Sequence, residues 1–179
     1  MGSLKPYEID QIKATANYDW SRQIIEKATI DNLDDEAIKM AREQFKIKYK
    51  GREFANEIDH MSDIDFLNKA KVTLNGKITY AAMLLLGKND DDYLLADYIA
   101  RMTWKLYDEK NVIDYEHFGI PFIINVEKLR EKIRNLRYRY MVNDNTLFPH
   151  EVDQYDNFIL RKLINNCIVH QDYRLRGII

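Results

Sequence analysis

At 179 residues the chain is long enough for one domain with a substantial core or for two small ones. Its 46% hydrophobic and 31% charged content is that of a globular protein, and its net charge of −2 argues against a chain dominated by phosphate contacts while leaving room for a local basic patch. A single cysteine, Cys167, excludes an intramolecular disulfide and a cysteine-based metal cluster. No signal peptide or membrane-length apolar run is visible, so a cytoplasmic protein with no membrane partner is expected.

Residues 1–33 are irregular in pattern and read as a linker or arm, in which Trp20 anchors to a core and Ser21 caps a short amphipathic helix through Ile24, Ile25 and Ala28. Asp34-Asp35-Glu36 place acids at a helix start, where they suit the dipole, and Ile38, Ala41, Phe45 and Tyr49 form its inner stripe. Lys46, Lys48, Lys50 and Arg52 follow, either as the favoured cations of a helix end or as a nucleic-acid patch. Ser62 with Asp65 forms a capping box for a helix through Phe66, Leu67 and Ala70. Asn75-Gly76, between Val72-Thr73-Leu74 and Lys77-Ile78-Thr79, predicts a type I′ hairpin turn. Thr79 then caps an apolar helix from Ala81 to Leu86, stopped by Gly87. Asn89-Asp90-Asp91-Asp92 is an exposed acidic turn without the ligand spacing of an EF-hand.

From Leu94 to Leu106 apolar and polar residues alternate, the pattern of a half-buried strand, with residues 112–118 as its antiparallel partner. Pro121 opens a long helix whose stripe, Phe122, Val126, Leu129, Ile133, Leu136 and Tyr140, steps 4-3-4-3-4. Its outer face carries Lys128, Arg130, Lys132, Arg134 and Arg137, with Tyr138 and Tyr140 beside it for stacking. That face is the best nucleic-acid candidate in the chain, set against a plain solvated helix face. Residues 142–150 read as a polar loop.

The last helix, Phe158 to Val169, is apolar on almost every side and reads as buried, with Cys167 as a small core residue. Ile159, Leu163, Asn166 and His170 share one face, and a buried Asn166 requires a hydrogen-bond partner, which would otherwise cost about 1–3 kcal/mol. No phosphate-cradling glycine loop and no nucleophile elbow is present, and the four histidines are never at i, i+4 to one another, so no self-contained catalytic centre is visible.

Leu163 to Tyr173 resembles the E-x-x-x-N-A-x-x-H-R-D-Y segment of bacterial RecG-like transcriptional regulators, also called ATP-dependent DNA helicase-related proteins. Four other stretches are similar to this family in the same order: Met1-Gly2-Ser3 with Pro6, Asp19-Trp20-Ser21, Asp31 to Ala41, and Ile78 to Lys88. The family joins a Schlafen-type AlbA-like DNA-binding domain, a middle region and a GHKL-type ATPase domain. The resemblance implies that Asn166 is the amide that binds the Mg²⁺ bridging the phosphates, with His170 and Asp172 beside the cofactor. Lys162 stands where the family has an acid that orients the attacking water.

The expected fold is α+β, with helices packed around a small antiparallel hairpin or sheet and ending in a long apolar helix. Expected domains are an arm over residues 1–33, a middle domain over 34–150, and the start of a truncated ATPase domain over 151–179. The expected function is a non-catalytic middle fragment, with no cofactor of its own and with ATP and Mg²⁺ bound only in the parent protein. DNA is its expected partner through that parent, and the uncovered last helix is expected to self-associate. A stand-alone nucleic-acid-binding module and an ATP-binding domain are the alternatives.

Overall fold

Local capping chemistry sets most of the helix starts. In the computed structural model, which describes residues 5–10, 19–55, 57–95, 98, 100–140 and 150–175, the chain folds as two compact units, Met1–Leu94 and Leu95–Ile179. Among the described residues the architecture is α+β, with short helices and three separate two-stranded antiparallel ribbons.

In the first unit, helix α1 (Asp35–Lys48) begins where the Asp34 carboxylate accepts the Ala37 N–H at 2.8 Å. Helix α2 (Asp63–Lys69) begins at Ser62, whose hydroxyl accepts the Asp65 N–H and donates to the Asp65 carboxylate. Ribbon β1 (Thr73–Leu74) and β2 (Lys77–Ile78) closes through Asn75 and Gly76, both at positive φ, as a type I′ turn demands. Helix α3 (Tyr80–Leu86) is capped by Thr79, which accepts the Ala82 N–H and donates to the Val72 carbonyl at 2.6 Å. Gly87 ends α3 in extended backbone rather than in a left-handed cap, because it bridges to Leu33 instead.

That bridge belongs to a larger pattern. From Asp19 through the end of the expected arm at Leu33 and on to Asp34, the chain is sewn onto the β2–α3 segment. The Ile25 N–H donates to the Ile78 carbonyl, Tyr80 to Gln23, Asp34 to Leu86 and Lys88 to Asn32. Trp20 is buried and its ring stacks on Tyr80 at 4.7 Å, so the expected anchor holds. The helix expected from Ser21 is only a 3₁₀ turn, Trp20–Arg22, capped by Asp19 instead of Ser21. The core gathers Leu33, Ala37, Ile38, Ile58, Phe66, Leu67, Ile78, Ala82, Met83 and Leu86. Arg42 staples α1 to the following loop: its guanidinium donates to the Ile58 and Met61 carbonyls and to Asp63, and lies over the Phe66 ring.

In the second unit, strands β3 (Met102–Asp108) and β4 (Asn111–Phe118) pair from Met102↔Phe118 to Asp108↔Asn111. The strand expected from Leu94 starts only at Met102, since residues 89–95 form a 3₁₀ segment; Ala96, Asp97 and Ile99 lie outside the described residues. Only the base of the ribbon is buried, at Met102 and Phe118.

Helix α4 (Phe122–Lys132) starts after Pro121 as expected and buries Phe122 and Val126. The long helix expected to reach Tyr140 stops at Lys132. Its continuation is captured by long-range pairing. The Asn135 amide bonds both the carbonyl and the N–H of Tyr155, and β5 (Arg137–Tyr140) pairs with β6 (His150–Asp153). The pattern of Leu136 and Tyr140 thus comes from a bend and a strand, and Leu136 is exposed. The loop expected over 142–150 lies outside the described residues except for His150, which is in β6.

Helix α5 (Asn157–His170) follows, capped by the Asp156 carboxylate, which accepts the N–H groups of Phe158 and Ile159. Its extent matches the expectation, but its burial does not. The expected long apolar, buried helix keeps only Leu160 and Ile164 buried, whereas Phe158, Ile159, Leu163 and Val169 are 55–74% exposed. No helix among the described residues is long and apolar enough to cross a membrane.

Candidate functional site

Helix α5 carries Asn166 and His170, two of the three residues expected beside a cofactor. Between Asp156 and His170 no glycine or proline interrupts it, so its residues hold fixed angular positions. Leu160 and Ile164, one turn apart, form the packed side. Ile159, Leu163, Asn166 and His170 do share one face, as their spacing predicts, but that face is exposed. Asn166 therefore needs no buried partner, because its amide is open to water, and Cys167 is exposed rather than a core residue. The reason lies in the number of neighbours: a helix apolar all round is buried all round only if other elements surround it.

Lys162 lies one turn before Asn166, with its Nζ 5.1 Å from the Phe158 ring. Asp172 sits beyond the helix and is engaged by Arg174, whose Nε and Nη2 reach the two carboxylate oxygens at 2.8 and 2.7 Å. The Arg174 guanidinium and backbone N–H hold the Asp172 carboxyl below its ordinary range, against a smaller opposing effect of burial. Tyr173, between them, is buried, donates its hydroxyl to the Ile168 carbonyl at 2.9 Å, and has its pKa pushed up by that burial. The structure thus groups Asn166 and His170 on one helix face and turns Asp172 to its own arginine. For a phosphate-bridging Mg²⁺, these residues offer one open amide beside a lysine. No cluster of three or more metal-ligating side chains occurs among the described residues.

The nucleic-acid face expected on one helix is divided. Lys128, Arg130 and Lys132 lie on α4, Arg134 in the bend after it, and Arg137 on β5. Arg130 is held by Glu127 at 2.7 Å, Lys132 by Glu116 of β4, and Arg137 by Asp153 and Glu151 of β6. Hydrogen bonds donated to Glu116 and Asp153 raise the pKa of Lys132 and Arg137 respectively. Only Lys128 and Arg134 of the five lack an ion-pair partner among the described residues. Tyr138 is exposed, while the side chain of Tyr140 lies outside the described residues. A helical wheel shows cations but not the acids that β4 and β6 bring to them.

Sequence reasoning missed an open cavity of about 320 Å³ lined by Glu127, Arg130, Asn157, Phe158 and Arg161, between α4 and the first turn of α5. Its arginines lie on two helices, and no local spacing signals their meeting.

No curated protein and no solved structure matches the chain. Residues 10–98, nearly coextensive with the first compact unit, match the family model described as "Domain of unknown function (DUF8451)".

Proposed function

We propose that the chain is the non-catalytic middle region of a RecG-like bacterial transcriptional regulator, connecting a DNA-binding domain to an ATPase domain, with α5 serving as a nucleotide-site helix of the latter. The observation that carries this reading is the exposed face of Ile159, Leu163, Asn166 and His170. It pairs apolar side chains suited to docking with the amide that the family motif uses on Mg²⁺, and a large uncovered apolar face is rarely left in water. Lys162 argues against hydrolysis: a protonated lysine can neither accept a proton from water nor sit beside Mg²⁺ without repulsion. The alternative of a nucleic-acid module built on the α4 face has less support, because three of its five cations are bound to acids of the same unit.

Thiol labelling tests the docking. In a Cys167→Ser background, Leu163→Cys is expected to react with a maleimide rapidly in this chain. It should become protected when the regulator's ATPase domain and MgATP are present. Labelling that is unchanged by that domain would refute the reading.

A further inference from the structure

Among the described residues, cations without an ion-pair partner also lie in the first unit, at the end of α1. The segment Lys46-Ile47-Lys48-Tyr49-Lys50-Gly51-Arg52 holds four cations in seven residues and no acid. Helix α1 ends at Lys48, and Gly51, at φ +87, turns the chain so that the Arg52 N–H bonds the Tyr49 carbonyl at 3.1 Å. The turn folds the charges around a pair of rings. Lys48 Nζ lies 5.2 Å and the Arg52 guanidinium 5.9 Å from the centre of the Tyr49 ring. The Phe54 ring lies 5.3 Å from Tyr49, with Lys69 Nζ 4.8 Å above it.

Two cations of this neighbourhood are answered, Lys46 by Asp59 at 2.8 Å and Lys69 by Glu57 at 3.8 Å. Lys48, Lys50 and Arg52 have no carboxylate in ion-pair range among the described residues. The carbonyl end of α1 offsets about half an elementary charge, which leaves most of their positive charge uncompensated. Lys50 and Arg52 also lie past the helix, where a dipole-stabilising role does not account for them. The acids Asp34, Asp35 and Glu36 sit at the opposite end of α1, about 20 Å away at 1.5 Å per residue.

We infer that this turn is a nucleic-acid contact, with Lys48, Lys50 and Arg52 on backbone phosphates and the half-buried Tyr49–Phe54 pair offering ring surface to an unpaired base. Arginine and aromatic rings packed together favour a nucleic acid over a purely anionic surface, because stacking adds to phosphate attraction. The inference goes beyond the role proposed for α5 and is independent of it, since it rests on the other compact unit.

Fluorescence anisotropy of the full chain with a labelled single-stranded oligonucleotide and with the matching duplex tests it. Binding is expected at low salt, tighter for the single strand. Three phosphate contacts predict a log–log salt slope of about −2 to −3. Lys48→Gln/Lys50→Gln/Arg52→Gln should weaken binding about tenfold or more, while Lys48→Arg/Lys50→Arg/Arg52→Lys and Arg130→Gln/Arg137→Gln should bind as the parent does. A thermal melt verifies that each variant is folded. Unaltered binding by the glutamine triple variant would overturn the inference. So would absence of oligonucleotide binding at low salt, including the case in which phosphatidylserine vesicles bind instead.

Discussion

Leu160 and Leu163 offer a clean test of which side of α5 faces the fold. They are the same residue three positions apart in one helix, so truncation to alanine changes helix propensity equally and the difference isolates burial. Leu160 is 8% exposed, and Leu160→Ala should lose nearly the full transfer energy and leave a cavity, costing about 2–4 kcal/mol. Leu163 is 56% exposed, so less than half of its surface is sheltered and Leu163→Ala should cost about 1 kcal/mol or less. Urea unfolding read by Trp104 emission in a Trp20→Phe background follows the second unit, because each unit holds one of the two tryptophans. An unchanged slope m certifies that the midpoint shift is a stability change. Equal losses at every protein concentration would show that the Leu163 face is buried within the fold and refute the outward orientation. A Leu163 effect that grows with concentration would instead show this face meeting a second copy.

Thr79→Val removes both the cap on Ala82 and the bond to the Val72 carbonyl while keeping the shape, and calorimetry should show a loss of about 1–2 kcal/mol. Gly76→Ala should cost about 1–2 kcal/mol by the same method. Its φ of +79 disfavours a side chain, although the nearest atom to the new Cβ, Ile64 Cγ1 at 3.5 Å, is in ordinary contact. The Asp172 carboxyl is held below its unfolded value by Arg174, so the stability this pair contributes is present above the unfolded pKa, about 3.9, and is lost as pH falls through the lower folded value. Carboxyl chemical shifts against pH should therefore show Asp172 titrating below an ordinary aspartate, and returning toward it in Arg174→Gln; titration at the ordinary value in the parent chain would contradict the pairing.

What the sequence makes legible here is local. Ser62, Thr79 and Asn75-Gly76 act on N–H groups or dihedrals within three residues, and each expected cap or turn is where the pattern put it, whereas the cap expected at Ser21 is supplied by Asp19. The larger misses are long-range. Nothing near Ile133 announces that Asn135 binds the backbone of Tyr155, twenty residues on, and that bond with the β5–β6 pairing ends the helix a turn after Leu129. Apolar residues all round α5 state what the helix is able to bury, not how many neighbours it has, and so the face of Asn166 was right in membership and wrong in burial. The cations of α4 and α1 look alike in sequence; what pairs three of the former set is Glu127 on α4 itself and the acids that β4 and β6 bring.

In the proposed role of α5 as a nucleotide-site helix, Asn166 on its open face serves an ATPase site. Its most direct test is equilibrium MgATP binding by the intact regulator carrying Asn166→Ala or Asn165→Ala, neighbours that lie on different faces of the helix. A group that holds the metal should cost about tenfold or more in Mg²⁺-dependent affinity when removed. Loss in Asn166→Ala with retention in Asn165→Ala is the predicted result; retention in both, or equal loss in both, would contradict it.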